Sequence, residues 1–111
     1  MELRNYLKEN EERALKALKE ALSKKFHLVD LRLFGSRARG EGDLESDLDV
    51  MIEIAESNPG IEAQIDDIIF EINLQNDSFI SAVIFEKKEV DVGPLSESPL
   101  YKIIQREGLP I

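Results

Sequence analysis

Leu3, Leu7, Ala14, Leu18 and Leu22 recur at helical spacing with Lys, Glu and Arg between them, which predicts a helix over Glu2–Ser23. Lys24, Lys25 and His27 follow, where positive charge suits a helix C-terminus. Leu28–Phe34 alternates at Leu31, Arg32 and Leu33 and carries β-favouring Val29 and Phe34, so it reads as a strand ended by Gly35-Ser36. Ser36–Gly40 has room for one helical turn, and Glu41–Ser46 reads as a loop. The clearest strand is Asp47–Ile54, with Leu48, Val50, Ile52 and Ile54 on one face and Asp47, Asp49, Met51 and Glu53 on the other. Asn58-Pro59-Gly60 signals a turn. A stripe of Ile61, Ile65, Ile68, Ile69 and Ile72 then predicts a helix from Ile61 to about Asn76. Isoleucine is a modest helix former, so burial must hold that helix. Phe79–Phe85 is almost wholly apolar, as expected of a strand covered on both faces. Glu86–Glu97 reads as a loop or irregular edge. Ser98 is a good N-cap with Pro99 at the first helical position, and the short helix it starts ends at Glu107 before Gly108.

The order helix, strand, turn, strand, helix, strand, helix predicts a small α/β (α+β) fold, a mixed sheet of about three strands flanked by helices. There are no repeats or linkers, and 111 residues suit one domain spanning 1–111. The chain has no cysteine and one histidine, His27. Thiol nucleophiles, zinc ribbons, disulfides and multi-imidazole metal sites are thereby excluded, and an intracellular, cytoplasmic setting is expected. No apolar run approaches the roughly 20 residues of a membrane span. Met1–Glu12 is too charged for a signal peptide. The chemistry must therefore come from carboxylates, hydroxyls, Arg, Lys and the backbone.

A net charge of −9 argues against bulk binding to nucleic acid or anionic lipid. Its distribution is less even. Leu31–Gly40 holds three arginines and no acid, whereas Glu41–Glu53 holds six acids and no base. A ligand that needs both is a metal–phosphate complex, its phosphate oxygens met by cations and backbone amides and its Mg²⁺ by carboxylates. Asp47 and Asp49 lie two apart on a strand, so they share a face at about 6.5–7 Å backbone separation and can converge on one metal, or on two about 3.5–4 Å apart. Gly35 permits close backbone approach to a phosphate, and the Ser36 hydroxyl adds a donor. Each feature has a plainer reading. The aspartates alone would be the polar face of an edge strand, and Gly35-Ser36 alone a turn. Arg37 and Arg39 would pair with Glu41, Asp43 or Glu45.

Two common glycine motifs fail. Gly35 and Gly40 have Walker A spacing, but Glu41 stands where lysine is required; Gly40-Glu41-Gly42 opens like a dinucleotide fingerprint, but Glu45 replaces its last glycine. Gly35-Ser36-Arg37-Ala38-Arg39-Gly40 followed by Ser46-Asp47-Leu48-Asp49-Val50 instead resembles the DNA-polymerase-beta-like nucleotidyltransferase superfamily. It looks most like the minimal nucleotidyltransferases, which Ser98-Pro99-Leu100-Tyr101 and Arg106-Glu107-Gly108 also resemble.

The resemblance implies transfer of a nucleoside monophosphate from a nucleoside triphosphate, ATP above all, to a hydroxyl. Gly35 and Ser36 would hold phosphates, Asp47 and Asp49 would ligate Mg²⁺ and orient the acceptor, and Arg37 and Arg39 would meet phosphate charge. The family's third acid belongs on the neighbouring strand, where this chain has Ser81; Asp91, in Val90-Asp91-Val92, is the alternative, and it requires Glu89–Val92 to join the sheet. Minimal nucleotidyltransferases also occur as antitoxins of HEPN-type toxins. The resemblance thus allows either an enzyme or a binding protein that neutralises a HEPN-domain partner. A homo-oligomer is a further expectation, since so short a chain carries no acceptor domain.

Overall fold

The computed structural model describes residues 7–40 and 46–111. Its first helix, α1 (Glu9–Lys25), buries Ala14, Leu15, Leu18 and Leu22 along one stripe and ends on Lys24 and Lys25. Its N-terminus is closed by Glu11, whose Oε1 accepts from the Lys8 N–H at 2.9 Å. The expected helix takes in Leu7 and Lys8, but both lie outside α1: Lys8 is extended and caps it, so the helix starts at Glu9, and Glu2 itself lies outside the described residues.

Strand β1 (Leu28–Phe34) runs into a one-turn helix α2 (Gly35–Ala38), and β2 (Leu48–Ile54) follows. Helix α3 (Pro59–Asn76) begins two residues before the expected Ile61. The reason is local: Asn58 Oδ1 accepts from the Ile61 N–H at 2.9 Å and Pro59 takes the first helical position. What reads as a turn is therefore a helix cap. Asp77, in the left-handed region at φ 52°, ends α3 and leads into β3 (Ile80–Glu86).

Glu86–Glu97 is more ordered than expected. It holds a short helix, α4 (Lys87–Asp91), and a 3₁₀ turn at Pro94–Glu97. Val90 anchors α4 by packing with Met51, Phe85 and Ile104. Helix α5 (Pro99–Glu107) starts as expected, with Ser98 Oγ accepting from the Tyr101 N–H. Leu109–Pro110 then forms β4.

The described sheet has four strands in the order β3-β2-β1-β4. β1 is antiparallel to β2 and β4, and β2 is parallel to β3. The fourth strand escapes sequence reading because two residues carry no period. It is pinned by the Ile111 N–H donating to the Leu31 carbonyl and by burial of Leu109. The apolar C-terminus is thus part of the core, while Leu100 and Ile103 of α5 remain exposed.

The two faces of β2 part as its alternation predicts. Leu48, Val50, Ile52 and Ile54 are covered by α1 and α3; Met51 and Glu53 are covered from the other side by α4 and α5. On that second face the Tyr101 ring meets Phe85 edge-on at 5.2 Å, and its hydroxyl donates to Glu53 Oε1 at 2.6 Å. Strand β3 departs from expectation. Despite its apolar sequence it is an edge strand, with Ser81 exposed and Ala82, Val83 and Ile84 only half-buried.

Candidate active site

One end of the sheet gathers most of the residues singled out by sequence. In the β1–β2 ladder Phe34 stands opposite Asp49, and in the parallel β2–β3 ladder Ser81 stands opposite Asp49. The last residue of β1, the start of β2 and the start of β3 therefore meet at one edge. Gly35-Ser36 follows Phe34 directly and opens α2 there.

Gly35 is required at that place for two reasons. Its φ of 77° lies in the left-handed region, and a Cβ built on it would stand 2.5 Å from Asp49 Oδ2. The backbone of the Gly-Ser turn and the Asp49 carboxylate are thus in direct apposition. The resemblance implies that they lie near one another; the fold shows that the absence of a side chain is what lets them meet.

Asp47 is exposed just before β2 and Asp49 is half-buried on it. Burial, and next the negative charge of Asp47, push the Asp49 carboxyl above its ordinary range. Two hard oxygen donors that repel each other at an open strand end suit Mg²⁺, which commonly takes one or two carboxylates and completes its shell with water and substrate phosphate. Among the described residues no group of three acids or imidazoles gathers as a metal site. Glu41, Asp43 and Glu45 lie outside the described residues.

The position opposite Asp49 that the resemblance reserves for a third acid holds the Ser81 hydroxyl, a neutral donor–acceptor. Asp91 is placed elsewhere. Glu89–Val92 is helix and turn rather than strand. Asp91 is on α4, which begins at the far end of β3 from Ser81, and its carboxylate pairs with Lys87 Nζ at 2.6 Å.

The three arginines do not form one island. Arg32, on β1, is bound to Asp30 at 2.7 Å. Arg37 is buried to 3% exposure and grips Glu11 of α1, Nη2 to Oε1 at 2.5 Å and Nη1 to Oε2 at 3.1 Å. Its Nη1 also donates to the Ser46 carbonyl at 3.0 Å, just before Asp47. Burial alone would raise the Glu11 carboxyl. The Arg37 hydrogen bonds, the Lys8 N–H and both residues' positive charge outweigh it and hold the group below the usual glutamate value. Arg37 thus ties α1, α2 and the entrance to β2 together. Arg39 is exposed one residue past α2. Sequence alone does not single out Glu11. Glu11 does fall on the Leu15-Leu18-Leu22 stripe, and a carboxylate on a core stripe is the signal of a buried ion pair.

No helix among the described residues is long and apolar enough to cross a membrane. A 44-residue stretch is 46% identical to a protein of Methanocaldococcus jannaschii whose name marks it as a candidate protein adenylyltransferase. That stretch covers 40% of this chain and 44% of the relative, so the match spans less than half the relative's length. In three dimensions the chain is similar over its whole length to 97% of a structure described as a candidate minimal nucleotidyltransferase, at TM-score 0.62 and 23% identity. It is also similar to a candidate nucleotidyltransferase from Sulfolobus solfataricus, at TM-score 0.50 and 19% identity, over 93% of this chain and 86% of that one. Those two likenesses speak for the fold. The nucleotidyltransferase domain family model matches residues 15–109, most of the chain, and the protein belongs to that family.

Proposed function

We propose that this protein is a Mg²⁺-dependent nucleotidyltransferase that moves a nucleoside monophosphate from ATP to a hydroxyl of a second protein. The observation that carries the reading is the apposition of Gly35 to the Asp49 carboxylate, with Asp47 beside it. The bound metal would neutralise phosphate charge and hold the triphosphate against the two aspartates. Gly35 and Ser36 then offer main-chain and hydroxyl donors to phosphate oxygens, and Arg39 reaches the same ligand from the surface. Arg37 acts as a positioning residue through Ser46. In the reaction the acceptor oxygen attacks the α-phosphorus, the bond to the bridging oxygen breaks, pyrophosphate leaves and the hydroxyl proton is released. Phosphoryl chemistry of this kind needs positioning and charge more than covalent help, so a small site suffices. The relative's name supports ATP as donor and protein as acceptor. A HEPN-type toxin is the acceptor the resemblance favours, in an antitoxin role and in the cytoplasm.

Ser81 favours a second reading, in which two carboxylates bind the metal–nucleotide weakly and the protein neutralises its partner by complex formation alone. One experiment separates them. The protein is incubated with Mg²⁺ and labelled ATP, with and without a candidate HEPN partner. Label on the partner that falls at least about a hundredfold in Asp47→Asn and Asp49→Asn is expected. Tight partner binding with no label, unchanged in both variants, overturns the enzyme.

A further inference from the structure

The outer edge of β3 is the place where the fold is left unfinished. The Leu48 N–H donates to the Phe79 carbonyl, so the odd-numbered main-chain groups of β3 face β2 and the even-numbered ones face outward. Asn73 of α3 closes the first outward residue from both sides: its Oδ1 accepts from the Ile80 N–H at 2.9 Å and its Nδ2 donates to the Ile80 carbonyl at 3.2 Å. For the outward N–H and C=O groups of Ala82 and Ile84 there is no partner among the described residues. Ile80–Phe85 carries no Pro, Lys or bulge of the kind that blunts natural edges. At the opposite edge β4 is two residues long and includes Pro110.

Apolar surface lies alongside. Phe70 and Phe79 are 65% exposed and Leu74 is 70% exposed, and with Asn73 they line one groove. By helical spacing Ala63, Phe70 and Leu74 share the flank of α3 that Asn73 turns towards the β3 edge, the flank away from α1. At roughly 150–250 Å² for each aromatic side chain, the two phenylalanines at 65% exposure, with Leu74 added, present on the order of 300–400 Å² of apolar surface. That is close to half of the ~800 Å² per partner in a standard interface, before the strand edge is counted.

We infer that β3 pairs with β3 of a second copy, antiparallel about a two-fold axis through Val83. In that register Ala82 stands opposite Ile84 of the second copy and Ile84 opposite its Ala82, which satisfies all four outward groups at once. The product is a continuous sheet whose free edges, among the described residues, are the two Pro110-bearing strands, so assembly closes at two chains. The groove residues flank the seam on one face. Asp66 lies on the same flank near the level of Val83 and meets its own copy close to the axis, an unfavourable contact that limits the affinity.

Sedimentation equilibrium from micromolar to submillimolar protein tests this. A mass of two chains is expected, and pairing tightens with added salt, because each copy carries −9. Ala82→Pro removes an outward N–H that the single chain does not use, and it should weaken pairing at least about tenfold while circular dichroism stays unchanged. Should that variant unfold, Leu74→Lys with Phe70→Lys carries the test on the surface alone. Asp66→Asn should tighten the dimer. A wild type that stays monomeric at every salt concentration overturns the inference, and so does a dimer indifferent to both the edge and the groove variants. A monomer that binds polylysine in a Leu74-dependent way assigns the groove to a basic partner instead and equally overturns it.

Discussion

Replacing Arg37 by alanine strips a buried carboxylate of its counter-charge. Arg37 is 3% exposed and Glu11 6%, and two hydrogen bonds join them. Removing one member of such a pair costs roughly 3–5 kcal/mol, because the survivor stays desolvated. Against a total of about 5–15 kcal/mol this is a large share. It corresponds to a fall in melting temperature on the order of 15–25 °C for a domain of this size. Glu11→Leu combined with Arg37→Met keeps the volume and removes both charges, so the double variant should melt well above either single variant. Differential scanning calorimetry of the four proteins gives the coupling directly. The pH dependence has a definite sign. The folded Glu11 carboxyl lies below its unfolded value near 4.5, so its contribution is present above that pH and is lost as pH falls through the lower folded value. Glu11→Gln should therefore flatten the stability curve below about pH 4.5. An Arg37→Ala protein that melts within a few degrees of wild type, or a double variant as unstable as the singles, refutes the buried-pair account.

Gly35→Ala forces a Cβ into the left-handed region and against Asp49 Oδ2; a loss of about 1–2 kcal/mol of stability is expected, together with weaker Mg²⁺–ATP binding by calorimetry. Under the proposed function, Ser81→Asp supplies an acid opposite Asp49, and transfer of label should rise relative to wild type; a fall would show that the serine is not a vacated acid position. Tyr101→Phe leaves the buried Glu53 carboxylate without its donor and should cost about 1–3 kcal/mol at neutral pH. Burial, then the Glu53 bond and negative charges, push the Tyr101 hydroxyl far above its ordinary 10.0. Its contribution is thus full below pH 10 and lost at more alkaline pH, a loss that Tyr101→Phe should not show in alkaline denaturation.

The elements with a strong period were legible in advance. The alternation of β2 placed Met51 and Glu53 opposite Leu48, Val50 and Ile52, and the isoleucine stripe placed the buried side of α3. The Gly-Ser and Asp-x-Asp segments could be joined as one site because both carry local signals. What stayed hidden depends on contacts distant in sequence. β4 exists because Leu109 lies against Leu33, 76 positions away by number. Arg37 reads as a surface or phosphate-facing cation until α1 brings Glu11 to it. The apolar run of β3 cannot distinguish a strand buried between neighbours from an edge awaiting one, since both are rich in the same side chains.

The order of strands also sets how stiffly each half of the site is held. Asp49 sits on β2, which is hydrogen-bonded on both sides and packed on both faces, while Ser36 belongs to a four-residue helix with one turn of its own bonds. Local opening free energies follow such differences, from near zero at fraying segments to the global value in central strands. Amide exchange at Asp49 and Val50 should then track global unfolding, whereas Gly35 and Ser36 exchange through smaller openings. The carboxylate side works as a fixed anvil, and adaptation to ligands of different shape falls to the Gly-Ser turn.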